Sequence, residues 1–143
     1  MPGIPDPKDE LRHTLKAHSF SMTTARSTVF DALLDKEPQT MREVVDACQK
    51  LVDRASVYRV VSLYERLGIV QRLQMGWKYK LELSDDFHRH HHHLTCTKCH
   101  VVIPISENDE LEDHLYEAAQ KHGFKMEGHQ LEIQGVCAIC QHK

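Results

Sequence analysis

The segment FHRHHHHLTCTKCH, from Phe87 to His100, gathers six histidines and two cysteines into fourteen residues. Cys96 and Cys99 form a C-x-x-C pair, and Cys137 and Cys140 form a second, with 37 residues between the pairs. Each pair sits on a tight knuckle that can aim both sulfurs at one point. Two knuckles therefore complete a tetrahedron, for which Zn2+ is the natural occupant. A redox pair would need a thioredoxin-like βαβ pattern beside it, and the flanking sequence shows none. The fifth cysteine, Cys48, falls on the apolar side of a helical pattern and reads as a buried free thiol.

The cluster His88, His90, His91, His92, His93 admits two readings. Composition alone describes a solvated, metal-scavenging tract. If HHHHLTC is extended, side chains alternate, so His91 and His93 face one way while His90 and His92 face the other. That makes two half-sites, each needing further ligands, and Glu82, Glu112 and His129 lie in segments able to supply them. An enzyme lacks its parts. HRHHHH has no aspartate of the H-x-H-x-D-H kind, and no H-E-x-x-H helix is present, so the chain is read as non-enzymatic.

These residues need elements to position them, and 143 residues suffice for one good core or two small ones. A small second lobe would need a fastener such as a bound metal. Leu11 and Leu15 mark a short first helix; Thr23 or Thr24 caps a second with Ala25, Val29, Phe30, Leu33 and Leu34 as its apolar stripe. Thr40 and Glu43 make a capping box for a third helix, expected to turn Val44, Cys48, Leu51 and Val52 inward. In SVYRVVSLYERLG, Val57, Val60, Val61, Tyr64 and Leu67 recur at helical spacing, and Gly68 stops the helix. The pattern then alternates, predicting strands over 69–73 and 77–83 joined by a turn at Gln74-Met75-Gly76.

Helices followed by a hairpin make a winged helix, whose last helix enters the major groove. Its outer face offers Ser56, Tyr58, Arg59, Ser62 and Arg66, suited to phosphates and base edges; the bland alternative is a solvated helix face. Beyond residue 84, strand-like CHVVIPI and GHQLEIQGVC flank a helix in ENDELEDHLYEAAQKHG, expected to turn Leu111, Leu115 and Ala119 inward. The expected fold is α+β: a winged-helix domain over 1–83, a hinge over 84–88, and a small α/β metal-binding dimerisation domain over 89–143 closed by zinc. Charge divides similarly. Residues 1–80 carry +3 and residues 81–143 carry −6, with ten of the twelve histidines in the latter, so a polyanion suits the first part and cations the second. No apolar run approaches the roughly 18 residues of a membrane span. The start MPGIPDPKDE lacks the features of a secretory signal, and the chain is read as cytoplasmic.

Taken in order, SVYRVVSLYERLGIV, HHHHLTCTKCHVVI and AAQKHGFKMEGHQLEIQGVCAIC resemble the Fur superfamily of metal-dependent transcriptional regulators, from about Leu11 to Cys140. The resemblance implies a homodimer that represses metal-homeostasis genes at palindromic operators, with a divalent metal corepressor. It implies structural Zn2+ at Cys96, Cys99, Cys137 and Cys140. It also implies a regulatory site of Glu82, His91 and His93 joining the two domains, and a further site of His90, His92, Glu112 and His129. Tyr58 and Arg59, within SVYR, become the first choices for operator contacts. For the regulatory ion, Fe2+ is favoured slightly over Zn2+, with Mn2+ a further candidate.

Three departures from the family pattern stand out. The loop before the third helix, KEPQTMRE, lacks a ligating histidine; His88, His13, His18 or water would have to substitute. Ser21 stands where a lysine is usual, and the segment between Glu82 and the histidines is about two residues longer, so that Lys80 competes with Glu82 in the alignment. Glu82 is chosen because an ammonium cannot ligate. The other class of function is a metal-binding module or buffer whose winged helix makes protein contacts.

Overall fold

Side chains that satisfy orphan backbone N–H groups decide where the helices begin. The computed structural model describes residues 6–75, 77–87, 91–106 and 108–143. Helix α1 (Pro7–Ala17) starts on Asp6, whose carboxylate accepts from the Lys8 N–H, with a proline in its first turn. Thr23 caps α2 (Thr24–Leu33) and Asp53 caps α4 (Arg54–Arg66). In α3 (Met41–Cys48) the Thr40 hydroxyl accepts from the Glu43 N–H while Glu43 accepts from the Thr40 N–H, a complete capping box. Gly68, at φ +73°, ends α4 in the left-handed conformation that glycine adopts without strain.

The chain divides into two units, Met1–Arg89 and His90–Lys143. In the first, α1 to α4 surround an apolar cluster that includes Leu11, Leu15, Phe30, Val57 and Tyr64. The Tyr64 hydroxyl reaches the Arg26 carbonyl at 2.6 Å, so this buried phenol is satisfied, and burial pushes it to a pKa well above the ordinary tyrosine value. Strands β1 (Val70–Met75) and β2 (Lys78–Leu83) form an antiparallel hairpin in which Val70 pairs with Leu83 and Gln71 with Glu82. Val70, Leu81 and Leu83 close the same cluster. Gln39 joins the hairpin through a bridge to Leu81, and its side-chain amide donates to the Ala32 carbonyl at 2.6 Å near the end of α2. The residue in the loop before α3 is thereby committed to structure.

In the second unit, β3 (His91–Cys96) lies between β4 (Val102–Ser106), antiparallel, and β5 (Glu132–Gly135), parallel. Helix α5 (Asp109–Lys121), capped by Asn108, connects β4 to β5, and a one-turn helix α6 (Ala138–Gln141) follows.

Three expectations are corrected. Leu51 is 71% exposed, because α3 ends at Cys48 and the chain turns before the helical stripe reaches it; Val52 is buried as expected. Gln74 and Met75 belong to the ladder, opposite Tyr79 and Lys78, so β1 runs two residues past its predicted end. Leu111, Leu115 and Ala119 are only half-buried, and α5 buries no residue fully, since a three-stranded sheet gives its face too little to pack against.

Candidate metal centres and the outward face of α4

The four-cysteine group forms where the end of β3 meets the start of α6. Cys96 ends β3, and the turn after it closes through the His100 N–H to the Cys96 carbonyl. The Thr97 N–H donates to the Gly135 carbonyl at 2.8 Å, which carries the β3–β5 alignment into the knuckle and brings Cys137 alongside. All four Sγ atoms lie within 4.8 Å of one another, and Cys99 and Cys137 are 3.8 Å apart. Tetrahedral Zn2+ with bonds of about 2.3 Å sets its sulfurs about 3.8 Å apart, so this donor set fits the ion with a small contraction.

Electrostatics prepare the same cluster. The backbone N–H groups of Cys137 and Cys99 point at the Cys96 sulfur, at 3.4 and 3.5 Å, and pull its pKa down to about 5. Cys96 is thus a thiolate at neutral pH, the form that ligates. The Cys140 thiol, hydrogen-bonded to Cys137 and buried, is pushed up to about 12. Loading the cluster therefore displaces protons. Cys48, in the first unit, is buried against the Thr28 carbonyl, and burial pushes its thiol up, as befits an inert core residue.

Alternation along β3 sorts the histidines. His91 and His93 lie on one face, ring centroids 4.5 Å apart, edge to face. His92, 1% exposed, points to the other face and meets Glu112 of α5, Nε2 to Oε1 at 2.5 Å. The second Glu112 oxygen is 2.9 Å from His129 Nε2. An ionised carboxylate only accepts, so both imidazoles present N–H at Nε2 in this arrangement. Two imidazoles and one carboxylate suit a divalent transition metal. Ligation through the same atoms would spread the three groups by less than about 1 Å and move the Nε2 protons, because N and O ligands at 2.0–2.1 Å stand about 3.3 Å apart around a tetrahedral ion. His90 and His88 lie outside the described residues.

Glu82 belongs to the first unit, in β2, and is 5% exposed. The Gln71 amide donates to its Oε1 at 2.7 Å across the hairpin.

Helix α4 buries Val57, Val60, Val61 and Tyr64, which leaves Tyr58, Arg59, Ser62 and Arg66 outward and Ser56 partly covered. Asp53 Oδ1 accepts from the Ser56 hydroxyl at 2.6 Å, and Arg59 Nη2 donates to Ser56 Oγ at 3.3 Å. Those bonds from Ser56 hold the Asp53 carboxyl below its ordinary value. Tyr58, 42% exposed, lies under the Arg54 guanidinium, 5.6 Å from the ring centroid. Arg54 extends the cationic face beyond the residues picked from sequence. The i, i+4 spacing of Arg54 and Tyr58 was its signal.

The sequence profile of the Ferric uptake regulator family matches residues 17–134. The ferric uptake regulation protein of Bordetella parapertussis is 40% identical over 88 residues, covering 61% of each chain, and that of Neisseria gonorrhoeae is 30% identical over 138 residues, covering 90% of this chain and 92% of its own. Among solved structures, the Helicobacter pylori ferric uptake regulator Fur, described as having three functional metal binding sites, superposes with a TM-score of 0.77 at 21% identity over 97% of this chain and 94% of that one. With a winged-helix first unit, an α/β second unit and a four-cysteine cluster, the chain belongs to the Ferric uptake regulator family of metal-responsive transcriptional regulators.

Proposed function

We propose that this protein is a repressor of metal-homeostasis genes that binds palindromic operators as a homodimer, with a divalent metal as corepressor and iron favoured over zinc. The observation that carries the reading is the sorting of histidines along β3: one strand offers the His91–His93 pair on one face and His92 on the other, upstream of a separate thiolate cluster. Thiolates suit a permanent zinc, whereas imidazole and carboxylate suit an exchangeable borderline ion. The ferric uptake regulation proteins among its relatives favour iron as that ion.

In this reading His91 and His93 take Glu82 as a third ligand, so that the ligand set is drawn from both units. The ion supplies positive charge that makes the assembled arrangement of those ligands favourable. Moving such an equilibrium from mostly dispersed to mostly assembled ligands needs about 10⁴-fold tighter binding to the assembled form, which a ligand set complete only there provides. His92, Glu112 and His129, with His90 as a fourth candidate, hold a second ion inside the second unit, and Cys96, Cys99, Cys137 and Cys140 hold structural Zn2+. The apolar side chains exposed on the second unit, among them Ile103, Tyr116, Phe124, Ile133 and Ile139, suit burial against a second copy. A twofold dimer presents two copies of α4, and a palindromic site is the matching ligand. Tyr58, Arg59, Ser62 and Arg66 would meet the major groove, with Ser56 holding Arg59.

The test is fluorescence anisotropy with DNA from upstream of the protein's own coding sequence, anaerobically, after chelation of the exchangeable ion and then with Fe2+, Mn2+ or Zn2+ added. Binding restored by an ion, and lost in a His91→Ala/His93→Ala variant that remains folded and dimeric, is the expected outcome. Metal-dependent binding that survives in the double variant would overturn the assignment of His91 and His93.

A further inference from the structure

Glu82 is the acidic member of the proposed regulatory set, and a buried carboxylate needs something to fix its direction. Its register partner across the β1–β2 ladder is Gln71. The Gln71 Nε2 donates to Glu82 Oε1 at 2.7 Å, while Glu82 itself is only 5% exposed. The chemistry of that donor matters. A lysine or arginine at position 71 would cancel the carboxylate charge and compete with an incoming cation. An amide holds the carboxylate through one oxygen and leaves its negative charge intact.

The pair is also held from behind. The Ile69 N–H donates to the Tyr64 carbonyl at the end of α4, and the Ser84 N–H donates to the Ile69 carbonyl, so the strands bearing Gln71 and Glu82 are pinned at the end next to α4. Gln71 therefore approaches Glu82 from a fixed backbone.

We infer that Gln71 is a positioning residue of the regulatory metal site, orienting the Glu82 carboxylate for a divalent cation without neutralising it. The inference rests on the reading of Glu82 as a ligand. Partners of this kind, one bond removed from the metal, typically change metal affinity 10–100-fold when removed.

The test uses the full chain with its cysteine site loaded with zinc, in a Glu112→Ala background so that the cluster around His92 does not contribute. Co2+ is the probe, followed by its ligand-field absorption and by competition with a chelator. Gln71→Leu keeps the side-chain size and removes the donor; Gln71→Thr is a second variant, a good strand former too short to reach Oε1. Both are expected to bind Co2+ about 10–100-fold more weakly, with a changed absorption spectrum. The first unit should still unfold cooperatively, with its transition lowered by the loss of a donor to a buried carboxylate. A merely structural role would move the unfolding and leave the spectrum alone. If both variants keep the parent affinity and spectrum while Glu82→Ala loses them, Gln71 is dispensable and Glu82 stands. If Glu82→Ala also binds like the parent, the premise fails and the inference falls with it.

Discussion

The two units are held together by different chemistry. In the first, buried apolar side chains from all four helices and both strands meet in one cluster, with Phe30 edge to face on Phe87 at 5.4 Å. In the second, the fully buried positions among the described residues are few and mostly able to bind metal or hydrogen-bond: His92, His93, Thr95, Cys96 and Cys140, with Val102 as the aliphatic exception. Its one long helix buries no residue fully, and Glu112 ties that helix to His92 and His129. One unit is thus fastened by the hydrophobic effect and the other largely by side chains able to hydrogen-bond or to ligate a metal. In the proposed function this serves metal sensing, because a fold held by metal-binding groups responds to what those groups bind.

The sharpest way to break the comparison is to remove the zinc proposed for the cysteine site. Stripping the cysteine site with a strong chelator, or replacing Cys96 with serine, is expected to abolish cooperative unfolding of the second unit and leave that of the first in place. Amide hydrogen exchange during heating, read separately at residues of each unit, would separate the two. A second unit that still melts cooperatively without zinc would mean that its few apolar contacts suffice. The reverse experiment is Phe30→Ala, which empties a fully buried site in the first unit. It is expected to cost about 3–5 kcal/mol, read from urea unfolding of that unit, with zinc stoichiometry unchanged. Loss of zinc in this variant would show that the units are not energetically separate.

The same contrast explains what was legible in the sequence. Features set by local spacing were readable: the two cysteine pairs, the Thr40–Glu43 box, the stop at Gly68, and the alternation that turns His92 away from His91 and His93. Features set by partners distant in sequence were harder. Leu51 fits a helical stripe, yet its helix ends three residues earlier. Leu111, Leu115 and Ala119 have inward spacing, but spacing says nothing of how much surface waits to receive them. The Gln71–Glu82 hydrogen bond depends on hairpin register, which a shift of one residue would destroy, and no local pattern in IVQRLQM marks Gln71 as special.

A subtler test separates the two fasteners of the second unit. Glu112 accepts from two histidines that belong to different segments, His92 in β3 and His129 in the stretch before β5, so one carboxylate joins three parts of the unit. Replacing Glu112 with alanine removes that acceptor beside a nearly inaccessible imidazole, a loss of about 1–3 kcal/mol. Because the cysteine cluster is untouched, the unit should remain folded and zinc-loaded, with its melting transition lowered and that of the first unit unmoved. Glu112→Gln should recover part of the loss. Its carbonyl oxygen can still accept from one histidine, and its amide can donate to the other once that ring carries its proton on Nδ1. A glutamine variant no better than alanine would mean that the negative charge, and not the hydrogen bonding, holds α5 to the sheet.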